Sequence, residues 1–165
     1  ASGAAARKLM RLRVLAVGKK MPVWVEDGVA EYSRRLPKEC AVEWVDIAPM
    51  KRGNGSPQRY LEKEAELILS RLAKTDHLVA LDVSGSPIST QKISDRCDQW
   101  QMQGQHVSIA IGGPDGFDAS VLKRAAEQCS FGRITLPHLL VRVILVEQLY
   151  RAWSVQTGHP YHRGN

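Results

Sequence analysis

Alternation is the feature that most constrains this chain. Five short runs rich in β-branched residues are each bounded by turn residues and read as strands: LRVLAVG (12–18), VEWVDI (42–47), HLVALDV (77–83), HVSIAIGG (106–113) and RITLP (133–137). Patterns of helical period lie between them. Leu61, Ala65, Ile68 and Leu72 share one face, as do Ile93, Cys97 and Trp100, and as do Val121, Leu122, Ala125 and Cys129. Such alternation predicts an α/β fold, a mainly parallel sheet with helices on both faces. Boundary residues agree: Ser56 and Pro57 suit a helix N-cap and first turn, Asp118 suits the cap of a later helix, and Gly132 suits its close. The run LLVRVILVEQLYRAW (139–153) is apolar nearly all round and too long for a strand, and Glu147 and Arg151 have helical pair spacing. It predicts a helix that is buried or faces another subunit.

At 165 residues the chain has the length of one domain with a sizeable core. The small, low-complexity residues 1–9 read as an extension ahead of a single domain over 10–165. Cys40, Cys97 and Cys129 are odd in number and never spaced CxxC, which disfavours a disulfide framework or a cysteine zinc site and favours a reducing cytoplasm. No stretch has the apolar length to cross a bilayer, so no membrane partner is expected. A net charge of +6 suits a polyanionic partner, since neutralised phosphates release counterions. The polar loop MKRGNGSP (50–57) sets Lys51 and Arg52 among glycines, either as a mobile functional loop or as a plain solvated connection.

In an open α/β sheet, ligands gather at the carboxyl ends of the strands, where IGGPDG (111–116) falls. Its glycines serve either a sharp turn or the close approach of backbone to a ligand. The spacing matches neither a dinucleotide fingerprint nor a P-loop. GRITLPH (132–138) is read as a second strand end beside it, so that two runs of main-chain donors and acceptors face an adenine-like edge. His138 there is either a satisfied capping residue or a ligand contact and base. Asp82 is read as ending its strand, where it holds a ribose, holds a loop backbone or caps the next turn. The tail HPYHRGN crowds His159, Tyr161, His162 and Arg163 behind a proline and suits docking onto a site; with no cysteine or carboxylate near to complete a ligand set, no metal is expected. No GxSxG serine or activated cysteine supports a hydrolase.

Taken in order, VAVGKKMPVWV, EYSRRLP, KRG, LDVSG, IGGPDG, TLPH, LVRVILVEQLYRAW and GHPYHR resemble the ribosomal RNA large subunit methyltransferase H family of the SPOUT superfamily, over essentially the whole domain. The resemblance implies a C-terminal trefoil knot, a homodimer, and S-adenosyl-L-methionine as cofactor. By motif, Leu81, Asp82, Gly112 and Gly113, with Gly132, Arg133, Ile134, Thr135, Leu136 and Pro137, would line the cofactor, and Leu136 would pack the adenine. The implied substrate is N3 of a pseudouridine in helix 69 of 23S rRNA within the 70S ribosome. His138, Tyr161, His162 and Arg163 are the expected catalytic groups, the tail reaching a partner's site. Lys51, Arg52, Arg142 and Arg151 are expected to meet RNA, although Arg151 could instead pair with Glu147. The rival readings are another rRNA or tRNA base as target, and a ribosome-binding module without turnover.

Overall fold

A computed structural model describes residues 11–18, 20–51, 53 and 55–163. The chain runs β1 (Leu12–Val17), α1 (Val23–Arg35), a 3-10 turn (Lys38–Cys40), β2 (Val42–Ile47), α2 (Pro57–Ser70), β3 (His77–Pro87), α3 (Thr90–Gln103), β4 (Val107–Ile111), α4 (Ala119–Arg124), β5 (Glu127–Ser130), α5 (His138–Thr157) and a last 3-10 turn (Pro160–Arg163). All five strands form one sheet in the order β2-β1-β4-β3-β5, every pair parallel. The expected α/β architecture is what the chain adopts. The expected extension at residues 1–9 lies outside the described residues.

Each face of the sheet buries a different set of side chains, because successive strand residues point to opposite faces. Val14, Ala16, Val79, Ile109 and Ile111 meet Ile93, Cys97 and Trp100 of α3 and Leu145, Leu149 and Ala152 of α5. On the other face Leu15, Val17, Leu78 and Ala110 meet Ala65 and Ile68 of α2 and Val121 of α4. Strand β4, central and covered on both faces, is buried at all five residues, which is why VSIAI shows no polar alternation. Helix α1, for which the sequence periodicity gave no expectation, packs against α5; a Cβ on its Gly28 would lie 3.4 Å from Val143. The three cysteines are buried thiols, and burial pushes Cys97 up to about 12. No helix among the described residues is long and apolar enough to cross a membrane.

Five local expectations are corrected. RITLP is not a strand: residues 133–137 are irregular, and the fifth strand is Glu127–Ser130. Its first residue is drawn to the sheet edge by His77 of β3, 2.6 Å from Glu127, and by Arg96 of α3 at 2.9 Å. Consequently α4 ends at Arg124, Cys129 belongs to a strand, and Gly132, at φ +115°, turns the chain after β5 instead of closing a helix. Asp118 caps α4 by accepting from Ser120 N–H at 3.0 Å, whereas Ser56 makes no side-chain cap bond. Strand β3 does not stop near Asp82 but continues to Pro87.

The continuation of β3 is irregular in a way that shapes the site. Leu81 and Ser86 both pair with Cys129 of β5, so residues 82–85 bulge away from the ladder. A Cβ on Gly85 would stand 2.7 to 2.8 Å from the Cys129 main chain, so only glycine lets the two strands meet there. Gly85→Ala is expected to destabilise the protein by about 2 kcal/mol, the usual scale of overpacking, read from the midpoint of denaturant unfolding. A midpoint equal to that of the parent would show that β3 is not held this closely.

Candidate active site

At the carboxyl ends of β3 and β4 lies a cleft of about 830 Å³, bounded by Leu81 and Asp82, by Gly112 to Phe117, and by Thr135 to His138. Residues 111–116 form a tight turn in which Gly116 N–H donates to Gly113 C=O at 3.1 Å and Gly116 takes φ +79°. A Cβ on Gly112 would press to 3.0 Å from Gly116 O, so this glycine serves the turn directly. The outer edge of the same turn is cleft wall. Of the two uses the sequence offered, the sharp turn is present, and the same residues line the cleft.

Of the ten residues expected around a cofactor, Leu81, Asp82, Gly112, Gly113, Thr135, Leu136 and Pro137 border this cleft. Gly132 and Ile134 border a smaller adjoining cavity of about 80 Å³, which shares Leu81, Asp82 and Leu136 with it. Arg133 is exposed and borders neither. Asp82 holds its own bulge, accepting from Ser84 N–H at 3.3 Å and from the Ser84 hydroxyl.

His138 is the first residue of α5, directly after Pro137, and borders both the cleft and a second cavity of about 600 Å³. Partial burial lowers its pKa from the ordinary 6.5, and the Arg142 cation lowers it further, so the imidazole is neutral at neutral pH. Arg142 is not at an entrance. Its side chain is 1% exposed, its Nη1 donates to Asp46 at 2.9 Å, and its Nη2 would stand 2.9 Å from a Cβ on Gly18. Gly18, directly after β1, lines the second cavity and was not among the site residues expected from sequence; the signal available was a glycine at a strand's carboxyl end.

The tail folds back onto the far end of α5. Ser154 Oγ donates to Arg151 C=O at 2.6 Å and so accepts from His162 Nδ1 at 3.1 Å, which assigns a proton to Nδ1. Tyr161 donates to Glu147 at 3.0 Å and stacks edge-on against Tyr150 at 4.6 Å. Burial, then hydrogen bonding to Tyr32 and Glu147, pushes its phenol well above 10, so it stays protonated. Arg151 pairs with Glu147 at 2.7 Å, which is the helix-pair alternative of the sequence reading. Arg163 is exposed. Between His138 and Ser154 the helix rises about 24 Å at 1.5 Å per residue, so one chain does not bring the imidazole of His138 and its own tail together.

Lys51 is exposed on the rim of the second cavity; Arg52 lies outside the described residues. The loop between β2 and α2 is tied down, because Gly53 and Gly55 N–H donate to the Tyr60 hydroxyl at 2.7 and 2.9 Å. Among the described residues there is no cluster of three metal-ligating side chains.

Comparison with known proteins agrees with this geometry. The family model described as "Predicted SPOUT methyltransferase" matches residues 10–162. The chain is 47% identical over 155 residues to the ribosomal RNA large subunit methyltransferase H of Chromohalobacter salexigens, a span covering 93% of this chain and 100% of that protein. Proteins of the same description from Hahella chejuensis and Marinomonas are each 46% identical, again over 93% of this chain and over 99% and 100% of theirs.

The electrostatics of His138 can be read directly. An NMR titration of its imidazole is expected to give a pKa below 6.5, and Arg142→Met is expected to raise it, because the neighbouring cation that disfavours imidazolium is gone. An unchanged or lowered value in Arg142→Met would place the guanidinium elsewhere.

Proposed function

The chain belongs to the SPOUT methyltransferase family, and on that premise we propose that it transfers a methyl group from S-adenosyl-L-methionine to N3 of a pseudouridine in helix 69 of 23S rRNA. It acts on the assembled ribosome in the cytoplasm, as a homodimer. Membership of the family also implies that the C-terminal segment forms a trefoil knot. The observation that carries the reading is the cleft lined by Gly112–Gly113 and Thr135–Pro137 and bordered by His138.

The residues present fit the donor. A cleft of about 830 Å³ lies within the usual range for small-ligand sites, and main-chain N–H and C=O groups along two loops can read an adenine edge without charged side chains. Leu136, Leu122 and Val141 supply apolar wall for the ring. Bound there, S-adenosyl-L-methionine supplies an electrophilic methyl group on a cationic sulfur. Gly132 and Ile134, in the adjoining cavity, extend the same wall.

N3 of the base carries an imide proton, so the chain must remove a proton and hold the nitrogen in line. His138, neutral because burial and Arg142 disfavour its cation, can take that proton. His162, held through Nδ1 by Ser154, is the second candidate base, and the exposed Arg163 can grip a phosphate or a base carbonyl in bidentate fashion. Tyr161 holds the tail through Glu147. The tail meets His138 only from a second copy, given the length of α5. Val23 and Trp24 at the start of α1 are 72% and 59% exposed and supply apolar surface for such a copy. Lys51 faces the RNA; the single chain's ribosome-binding charge is otherwise distributed, at +6 overall.

Two measurements test this. With labelled donor and ribosomes lacking the modification, one pseudouridine is expected to gain one methyl by mass spectrometry; transfer to tRNA alone, or none at all, would overturn the substrate. Mixing inactive His138→Ala with inactive His162→Ala/Arg163→Ala is expected to restore about a quarter of the activity, since half the dimers then carry one intact composite site. No recovery after confirmed subunit exchange would mean that each tail serves no neighbouring site.

A further inference from the structure

We propose that the second cavity, of about 600 Å³ and lined by Gly18, Lys20, Pro49, Met50, Lys51, Pro114, His138 and Leu139, takes the flipped-out nucleotide that accepts the methyl group. The assignment rests on the methyltransferase reading above and adds where the acceptor sits. Three features of the structure carry it.

The first is adjacency. Among the described residues the two cavities share only Pro114 and His138, so an occupant of one faces an occupant of the other across the group that can take the acceptor's proton. In-line displacement needs this arrangement, with donor and acceptor on opposite sides of the transferred carbon. The second is chemistry. Pro49, Met50, Pro114 and Leu139 give flat or pliable apolar wall for one unstacked base, while exposed Lys20 and Lys51 stand where its flanking phosphates would run. The volume suits one nucleotide and no more. The third is field. Gly18 is cavity wall, and directly behind it lies the buried Arg142 guanidinium, whose Nε and Nη2 have no hydrogen-bond partner among the described residues. Asp46 answers only Nη1, and its carboxylate is 68% exposed and therefore well screened. A positive potential in this cavity favours an imide nitrogen as it loses its proton.

The position also explains why glycine follows β1. A Cβ at residue 18 would stand 2.9 Å from the Arg142 Nη2, too close for the guanidinium to keep its place, and in van der Waals contact with the His138 ring at 3.5 Å.

The test uses the full-length protein. Met50→Trp fills the cavity and is expected to leave donor affinity by calorimetry unchanged while lowering kcat/KM for unmodified ribosomes at least tenfold. Lys20→Glu/Lys51→Glu reverses the rim charge. It is expected to weaken ribosome pelleting measured without donor, and to flatten the salt dependence of binding by about two units of slope, one per lost phosphate contact. If Met50→Trp folds, binds donor and methylates as the parent does, the cavity is not the acceptor site; if it does not fold, parental pelleting by the double variant overturns the assignment. Failure of the parent itself to transfer methyl would instead bring down the methyltransferase reading on which this depends.

Discussion

Helix α5 carries apolar side chains around nearly its whole circumference, and the need to bury them governs the rest of the structure. Leu145, Leu149 and Ala152 press on the sheet and on α3, while Val143 lies against Gly28 of α1. Each fully buried aliphatic side chain contributes on the order of 1.5 to 3 kcal/mol, far more than any cap or surface ion pair. The axis of α5 is therefore set by packing. With the axis set, the positions of its ends follow: His138 opens the helix at the edge of the cleft, and Gly158, at φ +70°, turns the tail back onto its far end.

The fit at the cleft depends on a second, smaller constraint. Strand β3 must touch the Cys129 main chain twice, at Leu81 and again at Ser86, and Gly85 allows the second contact. The surplus residues have nowhere to go but outward, and Asp82 stabilises their path by accepting from Ser84. The bulge raises one wall of the cleft; the Gly113–Gly116 turn raises the opposite one. Both walls are main chain held by short-range contacts, which suits recognition of a neutral purine edge. The exposed Val83 and Ile134 at the outer lip, at 81% and 78%, remain as apolar surface beside the smaller cavity.

Much of this was legible in the sequence. The strands β1 and β4 and the helix α5 stood out because burial on both sides leaves long apolar runs, the edge strand β2 because four of its six residues are β-branched or aromatic, and the Asp118 cap because an acidic side chain before a helical pattern has one obvious use. The fifth strand was not legible. In EQCS nothing is β-branched; its pairing comes from Glu127 meeting His77 and Arg96, residues fifty and thirty-one positions earlier in the chain. RITLP, with the better strand composition, stays irregular because Gly132 turns the chain out of the sheet and leaves Ile134 exposed. Similarly, composition predicted a helix through Cys129, but Ala125 is extended at ψ 132° and Ala126 N–H is taken by Leu78 C=O at 2.8 Å. At the site, the residues flanking the glycine turn and TLPH were readable from motif. Gly18 and Met50 were not, since their roles arise only when β1, the β2–α2 loop and α5 converge.

Arg142 links the packing of α5 to the chemistry at its start. A guanidinium buried with two of its three nitrogens unanswered among the described residues costs stability, because desolvation is incompletely offset by one bond to a largely exposed Asp46. A methionine of similar length would pack the same space without that cost. The charge does what methionine could not: it adds to burial, the larger effect, in disfavouring the imidazolium form of His138, and it sets a cation directly behind Gly18. Placing the arginine four residues after the histidine on one helix puts the two on the same face, so the strong apolar contacts that lock α5 also lock the distance between cation and imidazole. The helix thus carries, within its first turn and a half, both an imidazole and a cation that adds to burial in disfavouring its protonation, and the surplus of burial along the remaining turns is what lets the fold hold that cation.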